Sequence, residues 1–178
     1  MITEDQLSKI INRMSYKTKQ GEVVEALNRG MTDAEINTPL RTAMFMAQIL
    51  HESGGFKWLT ELGDVAYFDR YENRTDLGNV RKGDGYKFKG RGFIHITGRF
   101  NYGKVGDALG LDLVTTPDMA AELVPAARIA GWFWTTHTLN TPSDRRDLKK
   151  VTYIINGGYN GLQERLSWYQ KVKQVLEV

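Results

Sequence analysis

Apolar residues recur along most of this chain at three- and four-residue intervals, the period of helices that bury one face. Leu7, Ile10, Ile11 and Met14 follow the capping box Thr3-Glu4-Asp5-Gln6 and predict an amphipathic first helix. Val23, Val24 and Leu27 predict a second, ending near Gly30. Thr32-Asp33-Ala34-Glu35 reads as another capping box, for a short helix that Pro39 must interrupt. A better-marked helix then opens with Thr38 as hydroxyl cap and Pro39 in the turn that needs no backbone N–H. Ala43, Met44, Ala47 and Leu50 form its apolar stripe. Gly54-Gly55 stop it, because glycine takes the left-handed conformation of a C-terminal cap. Phe93-Ile94-His95-Ile96-Thr97 breaks this rhythm as a short apolar, β-branched run of strand type.

Residues 109–114 read as a connector, after which Thr116-Pro117 and Pro125 each open a helix. The second carries Ile129, Trp132, Phe133 and Trp134, bulky residues that favour a place in the core. Thr141-Pro142 caps the next helix, which runs to Gly157-Gly158. A last helix spans about Leu162 to Val175, with Leu166, Tyr169, Val172 and Leu176 on one face. Residues 56–92 differ: glycine, aspartate and basic residues are frequent, and Gly83-Asp84-Gly85 signals a turn. A loop of this length in a compact domain is usually functional or mobile.

The 178 residues contain neither a repeat nor a linker, so one domain over 1–178 is expected, mainly α with a small β-hairpin. A net charge of +3 favours encounter with polyanionic surfaces without choosing among them. The chain has no cysteine, which excludes disulfides and thiolate zinc sites. No apolar run approaches the roughly 18 residues of a membrane span. The start, Met-Ile-Thr-Glu-Asp-Gln, lacks the basic and apolar regions of a signal peptide, so synthesis in a cytoplasm is expected. The sequon Asn73-Arg74-Thr75 is discounted for want of a secretory route.

Candidate chemistry centres on Glu52, in the last turn before Gly54 and with Gln48 one turn back on the same face. The negative end of a helix dipole suits a proton donor. Alone, such a glutamate is by default a solvated surface residue. Its context changes that reading. His51-Glu52-Ser53-Gly54-Gly55 is followed by Tyr86-Lys87-Phe88-Lys89-Gly90-Arg91-Gly92-Phe93-Ile94-His95-Ile96-Thr97 and Asn101-Tyr102-Gly103. Ala130-Gly131-Trp132-Phe133-Trp134-Thr135 and Tyr153-Ile154-Ile155-Asn156-Gly157-Gly158 come later. In this order, over roughly residues 38–170, they resemble family-19 glycoside hydrolases, which contain plant-type chitinases and chitinase-like endolysins of bacteriophages. Secreted plant members carry disulfides, so this cysteine-free chain sides with the phage enzymes.

The resemblance implies a lysozyme-like, chitinase-like helical domain with two lobes around a glycan cleft. It implies Glu52 as general acid, and as its partner either Glu61 or Glu72. The family's chitinases place the base about where Glu72 falls, whereas in the endolysins Glu61 is the better match. Phe56, Trp58, Leu59 and Leu62 could anchor Glu61, while Glu72 lies among Asp69, Arg70, Asn73, Arg74 and Asp76; the reading therefore favours Glu61. Thr97 matches the residue that holds the attacking water. Asn101 and Asn156 match asparagines that bind sugar amides and hydroxyls, a task suited to a side chain that both donates and accepts. Arg165 matches a C-terminal arginine near the cleft, and His95 stands where chitinases usually have glutamine. Gln48 joins the candidate substrate-binding residues, as does Tyr86, which with Phe88 alternates with Lys87 and Lys89 in an aromatic-basic strip suited to an acidic glycan.

The expected protein is an endolysin that hydrolyses the glycan backbone of peptidoglycan with inversion at the anomeric carbon, whichever side of the disaccharide is cut. The resemblance implies a monomer without metal or organic cofactor, without nucleic-acid partner or membrane insertion. A separate pore-forming protein, a holin, would let it reach the wall from the host cytoplasm. A chitinase acting on chitin oligomers and a wall-binding module with a dead site remain the alternatives. Two further motifs carry less. Residues 98–104 read G-x-x-x-x-G-K, but Val105 stands where a phosphate-binding loop needs Ser or Thr. His51, Glu52, His95 and His137 lack the spacing of a zinc site.

Overall fold

The computed structural model describes residues 1–11 and 20–178. Helix α1 (Glu4–Ile10) begins at the predicted capping box: Gln6 N–H donates to Thr3 Oγ1, and Thr3 N–H to Gln6 Oε1. Met14, assigned to the same face, lies outside the described residues.

Helix α3 (Pro39–Glu52) is the centre of the molecule. Thr38 caps it by accepting from Arg41 N–H, and every residue from Thr42 to Leu50 is buried. The predicted apolar stripe is thus a helix wrapped on all sides. It ends as expected: Gly54 (φ 58°) and Gly55 (φ 71°) are left-handed, and Gly55 N–H reaches back to Leu50 O at 2.7 Å. Its main partner is α10 (Leu162–Val175), which occupies the predicted span.

Helix α2 (Gln20–Asp33) packs along α7 (Leu123–Thr136). It does not stop at Gly30, and Thr32 lies in its last turn rather than capping a new helix. The reason is packing. A Cβ on Gly30 would collide with the carbonyl of Ala127, and one on Gly131 would sit 2.5 Å from Gly30 O. Glycine here marks where two helix backbones touch, not where one ends.

Two apolar clusters divide the core. The larger surrounds α3 and includes Phe45, whose ring meets Trp134 edge-on at 5.2 Å. The smaller gathers Phe88, Ile96, Tyr102, Val105, Leu113 and Ile129 around α6 (Arg99–Leu109), and Ile94 packs against both. Helix α7 serves both lobes, giving Ala126, Ala127, Ala130 and Trp134 to one and Ile129 to the other.

Three further segments depart from the sequence reading. Residues 93–97 form no continuous strand; Arg91 makes isolated antiparallel bridges to Thr60 and Ile96, and 92–95 turn between them. Gly92 (φ 83°) and His95 (φ 49°) are both left-handed, which bends the run despite its β-branched side chains. The helix predicted from Thr141 is two, α8 (Asn140–Asp144) and α9 (Leu148–Asn156), separated at left-handed Arg146 (φ 59°). Asp147 restarts the chain by accepting from Lys150 N–H at 2.9 Å. Residues 56–92 hold short helices, α4 (Val65–Phe68) and α5 (Asp84–Lys87), with 3-10 turns at Asp69–Tyr71 and Thr75–Leu77. Buried polar groups organise them. The Asp84 carboxylate accepts from Arg99 Nε and Nη2 at 2.9 and 2.6 Å and from Val80 and Arg81 N–H. Buried Asn79 ties Tyr71 O to Arg99 N–H. No helix among the described residues is long and apolar enough to cross a membrane.

Candidate active site

Glu52 closes α3, and α10 brings Arg165 to it. Arg165 is fully buried: Nη1 donates to Gln48 Oε1 at 2.5 Å and Nη2 donates to Glu52 Oε1. Gln48 and Arg165, both read as substrate-binding, have no exposed surface. Being one turn apart on α3, Gln48 and Glu52 point at the same guanidinium, so Arg165, itself held by Gln48, orients Glu52 from beneath. The Glu52 side chain itself remains 21% exposed. Beside it, His51 Nδ1 lies 2.9 Å from Glu164 Oε2, and the ring fills the space a Cβ on Gly161 would need.

Glu61 is held differently. Its Oε1 accepts from Tyr71 OH at 3.1 Å and, weakly, from Arg70 Nη2 at 3.4 Å; its Oε2 accepts from Gly90 N–H at 3.1 Å. Its own N–H donates to Gly90 O at 2.8 Å, so the backbone is fixed as well as the carboxylate. The side chain is 20% exposed. Burial, followed by the charge of Glu61, raises the Tyr71 phenol above its ordinary value, so it stays a donor. Of the expected apolar anchors, Phe56 and Leu59 are buried while Trp58 and Leu62 are exposed.

Glu72 does other work. Its Oε1 accepts from Gly83 N–H at 2.7 Å and its Oε2 from Gly85 N–H at 3.3 Å, tying one turn of the loop to the entry of α5. Both oxygens are engaged by backbone.

A groove of about 320 Å³ contains His95, Thr97 and Asn101, with Lys104, Trp132 and Phe133 in its walls. Trp134 is core as expected, but its two aromatic neighbours on α7 are only half-buried and face this groove. Thr97 Oγ1 donates to His95 O at 3.0 Å, leaving its lone pairs as acceptors. Asn101 Nδ2 donates to Thr97 O at 2.7 Å, which leaves its amide oxygen for a ligand. His95 Nε2 lies 3.0 Å from Trp58 O; a carbonyl only accepts, so that nitrogen carries the proton. Asn156 is exposed at the end of α9, before left-handed Gly157. Tyr86 is exposed with Lys89 Nζ 3.8 Å over its ring, while Phe88 is buried; the aromatic-basic strip is helix α5 and its exit, not an alternating strand.

Sequence reading overlooked the residues that hold these groups: Tyr71 and Gly90 around Glu61, and Arg91 beneath the turn. Arg91 is buried, bonded to Lys87 O and to Tyr102 OH. Desolvation pushes the Tyr102 phenol up to about 12, so it remains the donor to Lys89 O at 2.7 Å. An arginine between two glycines beside an apolar run was the one visible signal. The three histidines of the zinc reading are engaged separately, His51 with Glu164, His95 with Trp58 O and His137 with Phe133 O.

Comparison with known proteins gives this arrangement a class. Residues 27–152 match the family described as class I chitinase. A glycosyl hydrolase family 19 domain-containing protein of Haemophilus influenzae is 31% identical, the match covering 83% of this chain and 86% of that one. Endochitinase B of Nicotiana tabacum is 30% identical over 76% of this chain and 53% of its own, so the present chain spans about half of that plant enzyme. Chitinase C from Streptomyces griseus HUT6037 superposes with a TM-score of 0.80 at 22% identity, covering 99% of this chain and 93% of that one. A second bacterial family 19 chitinase gives 0.78 at 26% identity, covering 99% and 95%. The family match makes this helical fold that of a glycosidase. The chain belongs to glycoside hydrolase family 19.

Proposed function

We propose that this chain hydrolyses the glycan backbone of bacterial peptidoglycan as an endolysin, with Glu52 as general acid, Glu61 as general base and Thr97 holding the attacking water. Glycoside hydrolysis asks for an acid at the leaving oxygen and a base for water, and needs neither metal nor organic cofactor. The observation that carries the assignment is the contrast between the carboxylates. Glu61 and Glu72 are both half-buried and bonded at both oxygens. Glu61 is held by the Tyr71 hydroxyl, Arg70 and the Gly90 N–H, at the start of the turn that leads to Thr97, whereas Glu72 is held by Gly83 and Gly85 N–H of its own loop. Arg165 takes one oxygen of Glu52 and leaves the other for the substrate. Asn101 and Asn156 would bind the sugars' amides and hydroxyls, and Trp132 and Phe133 would give an apolar wall to a sugar face.

Peptidoglycan is favoured as substrate by cations around the reacting groups. Lys104 lines the groove, and Arg70 and Lys89 lie over the rings of Tyr67 and Tyr86 near Glu61. In this reading the enzyme works as a monomer and meets the wall after a separate pore-forming protein opens the membrane. Chitin hydrolysis is the second reading, favoured by relatives named endochitinase. Turbidity clearing of purified peptidoglycan, beside release of soluble sugars from colloidal chitin, separates them. Clearing of the first is expected. Action on chitin alone overturns the endolysin, and action on neither leaves a binding module. The mass of the released muropeptides tells which linkage is cut.

A further inference from the structure

The groove beside Thr97 does not end at His137. That imidazole stacks on Phe133 with ring centres 3.9 Å apart and lines both this groove and a second cavity, also of about 320 Å³. Consecutive residues of α9 face the two, Ile155 the first and Ile154 the second. The two cavities adjoin, sharing His137 and facing neighbouring residues of α9, which form the sill between these two halves. Each half lies within the usual range of ligand sites, roughly 300–1,000 Å³.

The lining changes across the sill. The first half offers aromatic wall, hydroxyl and amide, which suit an uncharged sugar. The second carries Arg145 and Lys150, one from the junction after α8 and one from the first turn of α9. Its acidic liner, Asp147, accepts from Lys150 N–H at Oδ1 as the cap of α9, so one negative charge stands beside the two positive ones. The neighbouring Asp144 is neutralised by Arg41, with paired contacts of 2.7 Å. Among the described residues neither Arg145 nor Lys150 has a carboxylate partner, and both are exposed. His137 Nδ1, 2.8 Å from Phe133 O, carries a proton, which makes Nε2 of the neutral ring an acceptor, so the imidazole walls the site and the cations supply the donors. Two cations without a carboxylate partner offer little to a neutral glycan and charge-assisted hydrogen bonds to a carboxylated one.

We propose that this annex is a binding subsite for carboxylates hanging from the glycan strand in the groove, those of the stem peptides that muramic acid carries. It gives the chain its preference for peptidoglycan over chitin, and so rests on the endolysin reading. The strand being cut carries its anions on alternate sugars, which puts a carboxylate within reach of the annex while its neighbour occupies the first half.

The test is the double variant Arg145→Gln/Lys150→Gln, with circular dichroism to confirm folding. Rates are measured on peptidoglycan, on peptidoglycan whose stem carboxylates have been converted to amides, and on chitin hexamer. The ratio of kcat/KM for peptidoglycan to that for chitin should fall about tenfold, mainly through KM, which corresponds to about 1.4 kcal/mol. Amidation should lower the wild-type rate and remove the difference between wild type and variant. Equal losses on both substrates, or no loss on peptidoglycan, overturns the annex. Sedimentation of the Glu52→Gln protein with peptidoglycan, with and without the double substitution, keeps the two readings apart because it needs no cleavage. If the wild type leaves peptidoglycan uncut, the endolysin fails. The annex then stands if the double substitution weakens sedimentation and falls if it does not.

Discussion

At the scale of single residues, Glu52, Glu61 and Glu72 share one functional group and differ in what meets it. Glu52 is gripped from below by an arginine that is itself held by Gln48. Glu61 is clamped by a phenol and a backbone N–H, and Glu72 by two backbone N–H groups. Replacing each by glutamine keeps shape and part of the hydrogen bonding, so the three variants report chemistry more than folding. Glu52→Gln should lose about 10²–10⁴-fold in rate on peptidoglycan, the usual worth of an acid–base group. Glu61→Gln should lose about two orders of magnitude or more by the same measure. Glu72→Gln should lose clearly less activity and instead destabilise the fold by about 1 kcal/mol, as one of its charge-assisted acceptors is exchanged for a poor one. For a chain of this length that lowers Tm by about 2–4 °C. An inactive but stable Glu72→Gln protein beside an active Glu61→Gln one would reverse the assignment.

Among the elements, the contact of α2 with α7 sets how close the two helices lie, and Gly30 and Gly131 permit it. In an exposed helix Gly→Ala gains about 1 kcal/mol. Here Gly30→Ala puts a methyl group into the Ala127 carbonyl, and the expected outcome is a loss of about 1–3 kcal/mol, typical of overpacking. A thermal melt gives the sign, and a rise in Tm would mean that the helices can part freely. The loop between α3 and α6 depends instead on an ion pair. Chiefly through the hydrogen bond from Arg99, the Asp84 carboxyl is held below its ordinary value near 3.8, against the opposing effect of burial. A carboxyl whose folded value is depressed stabilises the fold above its unfolded pKa, and this contribution disappears as pH falls through the folded value. Urea melts should therefore show wild type more stable than Asp84→Asn at pH 7, with the gap closing below about pH 4. A gap that is constant with pH would mean that the carboxylate charge contributes nothing.

For the molecule as a whole, the proposed wall binding would be an ionic-strength effect, carried by the net charge of +3 and the exposed Arg145 and Lys150. Screening shortens from about 10 Å at 0.1 M salt to about 3 Å at 1 M. Sedimentation with peptidoglycan should weaken several-fold over that range, while cleavage of chitin oligomers changes less; equal salt dependence on both would point away from charge. The sequence by itself determined the helices whose ends carry local chemistry. Thr38-Pro39 and Gly54-Gly55 bound α3, and the period of Leu166, Tyr169 and Val172 marks α10, because capping and amphipathic spacing act within a few residues. It also brought Glu52 to the last turn of α3, while Glu61 or Glu72, and Thr97, entered as its companions through the family resemblance. Where one residue type serves two ends, local reading failed: Gly30 is a packing contact and not a cap, and the β-branched run 93–97 bends at two left-handed residues. Tertiary structure alone decided that Arg165 should be buried against Glu52, 113 positions away, and that Glu61 should meet Tyr71 and Gly90 while Glu72 meets Gly83 and Gly85. Burial and hydrogen-bond partners belong to the packed elements together, and no spacing along one chain contains them.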